Sequence, residues 1–185
     1  MAAFTRRRFL AAASAPLVLA ACDNGIGANG AQRIDARVDS AFAFMQQTLP
    51  ETRGLAARAA GVLMMPLITE AGLGIGGGYG RGALRVQGAS VDYYSSTDIS
   101  FGLQIGAQQY AHAIFFMTPA ALSSFRVSPG WVAGADLEYA LSSTSMNVTT
   151  GTTSLLTPVI AVVFGQAGLI AGATIEGQKY TRIIP

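Results

Sequence analysis

Cysteine, histidine and tryptophan each occur once in 185 residues. A lone Cys22 excludes an internal disulfide. With His112 as the only histidine, a zinc site of Cys/His ligands is almost excluded. Charge is scarce as well: 12% of residues are charged and 51% are hydrophobic. That balance suits a single domain with a sizeable core. The formal net charge is +2, but Arg6, Arg7 and Arg8 sit in a segment expected to be removed. Without them nine basic residues face ten acidic ones, so nothing supports nucleic-acid binding. No G-K-[ST] follows a glycine loop, which excludes a P-loop, and no G-x-S-x-G marks a serine nucleophile.

The N-terminus is built for export. Thr5-Arg6-Arg7-Arg8-Phe9-Leu10 precedes the apolar run AAASAPLVLAA, which ends at Cys22. The run is shorter than the ~20 residues that a membrane span needs. A basic region, a short apolar stretch and small residues before a break make a signal peptide. Arg6, Arg7, Phe9 and Leu10 resemble a twin-arginine signal, which implies export of an already folded protein. Leu19-Ala20-Ala21-Cys22 resembles a lipobox. The expectation is cleavage before Cys22, diacylglycerol on its sulfur and acylation of the new N-terminus. Each buried CH₂ of such a chain contributes about 0.8 kcal/mol, so two or three chains anchor almost permanently. Residues 1–21 are thus expected to be a signal peptide, 22–33 a lipidated Gly/Asn tether, and 34–185 one domain. The expected location is the bacterial cell envelope, facing the periplasm. Asp23 resembles an inner-membrane retention signal.

Glycine is abundant, and its placement is regular. Every even position from Gly72 to Gly82 is glycine, and Gly77 is added. A strand sends alternate side chains to opposite faces, so one face here has none. Glycine weakens a strand, so the bare face implies close approach of backbone or ligand, or a sharp bend. The apolar positions switch from odd (Leu73, Ile75) to even (Leu84, Val86), which predicts a β-bulge or tight bend near Gly76 to Gly78. Gly102-Leu103-Gln104-Ile105-Gly106 and Gly168-Leu169-Ile170-Ala171-Gly172 repeat the pattern G-L-x-[IA]-G at unequal spacings. This reads as one structural requirement met three times within a sheet.

The rest of the chain alternates short helical and extended patterns. Ile34, Val38, Ala41, Phe42, Met45 and Leu49 recur at helical spacing up to Pro50. Core packing suits this helix better than a membrane-surface role, because its polar face carries both Asp and Arg. ETRGLAARAA reads as a second short helix. Gly61 to Pro66 reads as a strand closed by proline. Ala111 to Met117 is an apolar strand, and Thr118-Pro119 caps a helix that ends near Phe125. Trp131 to Leu141 alternates as a half-buried antiparallel strand. Residues 142–157 are Ser/Thr-rich. Val159–Phe164 and Leu169–Ile175 read as a hairpin around Gly165 to Gly168. The expected fold is α+β: a single domain with an antiparallel, strongly coiled sheet or half-barrel. About six to eight strands and two or three short helices are counted.

Little in this pattern carries chemistry. Gly72 to Gly77 satisfies G-x-G-x-x-G, but strands follow it where a dinucleotide site needs a helix. His112 is alone in YAHAIFF, with no nucleophile marked beside it. The carboxylates Glu70, Asp92, Asp98, Asp136, Glu138 and Glu176 are scattered. No catalytic residue, metal site or cofactor is expected.

Four segments together carry a family resemblance: AAGVLMMP, AGLGIGGGYGRGALRV, YYSSTDISFGLQIGAQ and AGLIAGATIEGQKYTRI. They resemble the SYLF domain, found in yeast and animal proteins of the cortical actin machinery and in many bacterial lipoproteins. The resemblance implies a non-enzymatic lipid-binding module; eukaryotic members bind phosphoinositides and some bundle actin. Binding of lipid or an anionic head group is what it implies for an exported chain. The residues expected at such a site are Gly74, Gly76, Gly78, Tyr79, Arg81, Arg85, Lys179 and Arg182. The expected partners are membrane lipids, through the Cys22 anchor and a bound lipid, with no nucleic acid. The alternative is an interaction or structural module that binds a protein and no lipid.

Overall fold

The structure is a computed structural model that describes residues 29–134, 138–141, 157–168, 175 and 177–185. The export segment, Cys22, the tether up to Ala28 and the Ser/Thr-rich stretch 142–156 lie outside these residues. The described elements are α1 (Gly30–Thr48), α2 (Thr52–Arg58), β1 (Gly61–Val86), β2 (Ala89–Phe116), α3 (Pro119–Val127), β3 (Trp131–Val132), β4 (Glu138–Leu141), β5 (Val159–Gly168) and β6 (Lys179–Ile183). The fold is α+β, with three helices against one curled, mainly antiparallel half-barrel sheet.

One long hairpin dominates. β1 and β2 pair antiparallel along almost their whole length. They turn at Gln87 and Gly88, whose φ angles of 50° and 83° suit the tight two-residue turn of a twisted hairpin. The far edge of β2 is shared: residues 93–97 pair with β6, and residues 108–116 with β5. The two G-L-x-[IA]-G segments of the hairpin lie opposite each other, Gly72 facing Gly106 and Leu73 facing Ile105. Of the third such segment only Gly168 is described, at the end of β5 opposite Gln108.

Four expectations about the strands need correction. Pro66 does not close a strand; β1 runs through it. Met65 faces His112 and Ile68 faces Tyr110, so β1 holds one extra residue between them. A proline has no N–H to give to the ladder, which makes this the natural place for a bulge. The bulge, and not Gly76 to Gly78, switches the faces of β1. Leu63 and Met65 are interior before it, and Ile68 and Leu84 are interior after it. A second irregularity lies between Leu73 and Ile75, where three residues of β2 span one of β1. Next, β5 continues through Gly165 to Gly168, where a turn was expected; it holds only a bulge there, Gly165 and Gln166 lying between Phe164 opposite Ala111 and Ala167 opposite Gln109. Finally, β4 pairs parallel with β5, whereas the 131–141 strand was expected to be antiparallel.

The sheet is buried on both sides. Inside the curl, Leu63, Ile68, Tyr94, Ile114, Phe116 and Tyr180 pack with Phe125 of α3. Outside, α1 lays Ile34, Val38, Ala41 and Met45 on Val62, Met64, Ala113 and Phe115. Each such large side chain contributes about 1.5–3 kcal/mol by burial. The helical spacing expected of α1 is therefore its packing stripe. Thr118 caps α3 as its sequence implies, its hydroxyl accepting from the Ala121 N–H at 3.1 Å.

Candidate functional site

The bulge at Pro66 has a consequence on the outer face. It turns Leu67 outward, where it stays 42% exposed beside α1. There it rims a cleft of about 800 Å³ between α1, β1 and the C-terminal tail. Arg33 and Arg37 come from α1, one turn apart; Tyr79 and Arg81 come from one face of β1. The tail closes the far wall, with Pro185 packed so tightly on Gly30 that a Cβ there would stand 2.9 Å from its carbonyl carbon. Tyr79 and Ile184 are 48% and 85% exposed. Arg81 is held in place: its Nε donates to the Tyr79 hydroxyl at 2.6 Å, with its guanidinium 5.8 Å from that ring's centre.

Charge is what distinguishes this cleft. Among the described residues no Asp or Glu side chain lines it, and Arg33, Arg37 and Arg81 form no ion pair. Three uncompensated guanidinium groups beside exposed apolar side chains suit an anion with an apolar body.

Of the residues expected from sequence, only Tyr79 and Arg81 reach this cleft. Arg85 instead binds Asp39 at 2.7 Å and approaches Asp35 at 3.8 Å, tying β1 to α1. Arg182 binds the buried Asp92 at 2.5 Å, and Arg126 binds it at 2.8 Å. The Lys179 side chain lies across Gly130. Gly74 sits at the irregularity between Leu73 and Ile75, and Gly76 opposes Ser100. At Gly78, Asp98 and Glu70 occupy the space a side chain would need. Gly80 and Gly82 are closed by Leu67, Ile68, Met64 and Met65. The bare face of the strip therefore receives the chain's own first half-strand. Arg33 and Arg37 were not expected. Their signal lay in α1: at 100° per residue they fall on the flank opposite Asp35 and Asp39.

A polar line crosses the interior. The Tyr110 hydroxyl donates to Glu70 Oε1 at 2.5 Å, and Gln178 Nε2 donates to the Tyr110 oxygen. Gln178 Oε1 accepts from the Tyr180 hydroxyl at 3.0 Å and from Ser96 at 2.9 Å. The line ends at His112 Nε2, 2.8 Å from the Tyr180 oxygen. Burial, then the bond to Glu70, raises Tyr110 above the usual phenol range. Burial and then the charge of Glu70 raise Asp98. Burial alone lowers His112 to about 3, so its ring is neutral. Neither an acid nor a nucleophilic hydroxyl is arranged around it as a triad needs. This is a core histidine. The line is a means of satisfying buried polar groups.

Residues 97–182, from β2 to β6, match the family model of Ysc84, described as a Las17-binding protein actin regulator. No curated protein matches the chain. Among the described residues the matched segment takes in most of β2, with α3, β3, β4, β5 and most of β6. Over residues 97–182 the chain is thus similar to the Ysc84, or SYLF, family, as the resemblance of its sequence implied.

Proposed function

We propose that this protein is a non-enzymatic, lipid-binding lipoprotein of the bacterial cell envelope. It engages anionic phospholipid head groups through Arg33, Arg37 and Arg81. The observation that carries this reading is a cleft lined by no Asp or Glu side chain, with three arginines that form no ion pair beside exposed Leu67, Tyr79 and Ile184. Arginine forks match phosphate oxygens, and exposed apolar residues suit the boundary layer of a bilayer. The anchor adds a second argument. Cys22 precedes Gly30 by eight residues, and Gly30 lines the cleft. Eight extended residues reach at most about 28 Å, so an acylated Cys22 would hold the cleft close to its membrane. Inner-membrane residence, weakly favoured by Asp23, belongs to the same reading.

Vesicle flotation tests it. The full chain with Cys22→Ser should float with vesicles containing phosphatidylglycerol and not with pure phosphatidylcholine. Arg33→Glu with Arg37→Glu should abolish flotation, as should raised salt. Equal flotation with both vesicle types, or with neither, would sink the proposal. Intact mass of membrane-extracted protein reports the anchor; an uncleaved, unmodified chain rules it out. The family's description names a protein ligand, so a protein-binding role is the second reading. One recurrent protein crosslinked in the envelope, with no lipid co-purifying, would favour it. An exported chain does not meet actin.

A further inference from the structure

Next to the cationic cleft, along the same helix, lies a second cleft of about 670 Å³. Its walls are mostly apolar: Ala36 and Phe44 of α1, Ala111 of β2 and Phe164 of β5. The two clefts share Arg37, Pro66 and Leu67. They form one groove, with the bulge of β1 as its middle. Arg33, Ala36, Arg37, Ser40 and Phe44 follow one stripe of α1 at steps of three and four residues. From Arg33 to Phe44 that stripe rises about 16 Å. Phe44 is 47% exposed and its ring lies 6.2 Å from that of Phe164, closing the apolar end. Two buried stripes would be expected of a helix sandwiched between layers; α1 has only one sheet to pack on. Its second apolar stretch is left open to whatever occupies the groove.

Resting on the lipid-binding reading above, we infer that the groove holds one amphiphile as a monomer. Its anionic head lies among Arg33, Arg37 and Arg81, and a single alkyl chain runs over Leu67 toward Phe44 and Phe164. Charge complementarity fixes its direction, since Arg33 and Arg81 line only the cationic cleft, Arg37 stands where the two clefts meet, and no cation lines the far end at Phe44 and Phe164. Both clefts fall within the roughly 300–1,000 Å³ of small-molecule sites, and the apolar one suits an alkyl chain better than a head group. This differs from docking on a bilayer: the lipid is lifted out of the membrane plane and solvated by protein.

Calorimetry with the full Cys22→Ser chain tests this, using dodecyl phosphate below its micelle concentration. Binding at one per chain is expected, at least about tenfold tighter than dodecyl maltoside and than inorganic phosphate. Affinity should rise about two- to fourfold per added methylene from octyl to dodecyl phosphate. Ser40→Trp fills the groove from an exposed helical position. It should weaken dodecyl phosphate about tenfold while flotation with phosphatidylglycerol vesicles persists. Ala36→Leu, a milder filling, should act in the same direction. Inorganic phosphate binding as tightly as dodecyl phosphate would overturn the inference, as would unaltered affinity in both filled variants. Flotation without monomer binding overturns the groove and leaves the lipid-binding reading standing. Loss of both overturns both.

Discussion

His112 shows how little a residue type says without its surroundings. As the single histidine it invites an acid–base reading, but no nucleophile is marked beside it in the sequence, and it sits fully buried between Tyr110 and Tyr180. Burial lowers its pKa to about 3 from the ordinary 6.5. The folded state therefore keeps the ring neutral, while the unfolded chain binds a proton below about pH 6.5. Stability linked to His112 is complete above pH 6.5 and falls as pH drops from there toward 3. The slope is at most about 1.4 kcal/mol per pH unit. His112→Gln keeps a polar partner for Tyr180 and removes the titration. Urea unfolding between pH 7 and 5 should show a shallower loss of stability in this variant; equal slopes would contradict the burial argument. Asp98, raised by burial, titrates in both chains and cancels in the comparison. Sequence gave the isolation of His112 but not its partners. Gln178 and Tyr180 lie 66 and 68 residues away, and only the pairing of β6 with β2 brings them near.

At the scale of elements, pattern was legible and register was not. The stripe of Ile34, Val38, Ala41 and Met45 named the buried face of α1 correctly. The charges were read as a mixture, whereas they segregate: Asp35 and Asp39 turn to Arg85, Ser90 and Tyr93, and Arg33 and Arg37 turn to open solvent. A long-range partner decided which flank was spent. The same holds for β1. A face switch was legible, but its position at Pro66 depended on pairing with β2. Asp92 joins three elements: it lies in β2, is 3% exposed, and binds Arg126 of α3 and Arg182 of β6. Which side of this cluster matters follows from exposure. The arginine side chains are 44% and 64% exposed, so each can turn to water if the carboxylate is lost. The carboxylate cannot. Asp92→Asn should therefore cost about 1–2 kcal/mol. Arg126→Ala with Arg182→Ala leaves a buried charge unpaired and should cost about 3–5 kcal/mol. Denaturant midpoints of the two variants check the order; a milder effect of the double arginine change would contradict it.

For the whole molecule, the question is which side of the curled sheet serves function. The glycine strip offered a bare strand face, to be approached by backbone or by a ligand, and that face lies on the concave side. The structure fills that side with protein: a Cβ at Gly82 would stand 2.5 Å from Met65 Sδ and 2.9 Å from the Met64 carbonyl carbon. At Gly80 it would stand 2.5 Å from the Leu67 oxygen. Glycine there lets β1 curl back on its own first half. Alternation revealed the need for close approach; it could not reveal that the approaching backbone is the same strand. Function then falls to the convex side, where the bulge, α1 and the tail leave a groove. The two sides should separate by mutation. Gly82→Ala pushes a methyl against backbone, which cannot give way as a flexible side chain does. It should lower stability by about 1–3 kcal/mol, and the fraction that stays folded should bind vesicles normally. Leu67→Asp changes an exposed side chain and should leave the unfolding midpoint nearly unmoved. It sets a carboxylate beside Arg33, Arg37 and Arg81 and removes an apolar contact, so flotation with phosphatidylglycerol vesicles should be lost. Melting curves and flotation on the same two proteins decide the matter. If Gly82→Ala abolishes binding while folded and Leu67→Asp does not, the lipid lies on the concave side and the assignment of the groove is wrong.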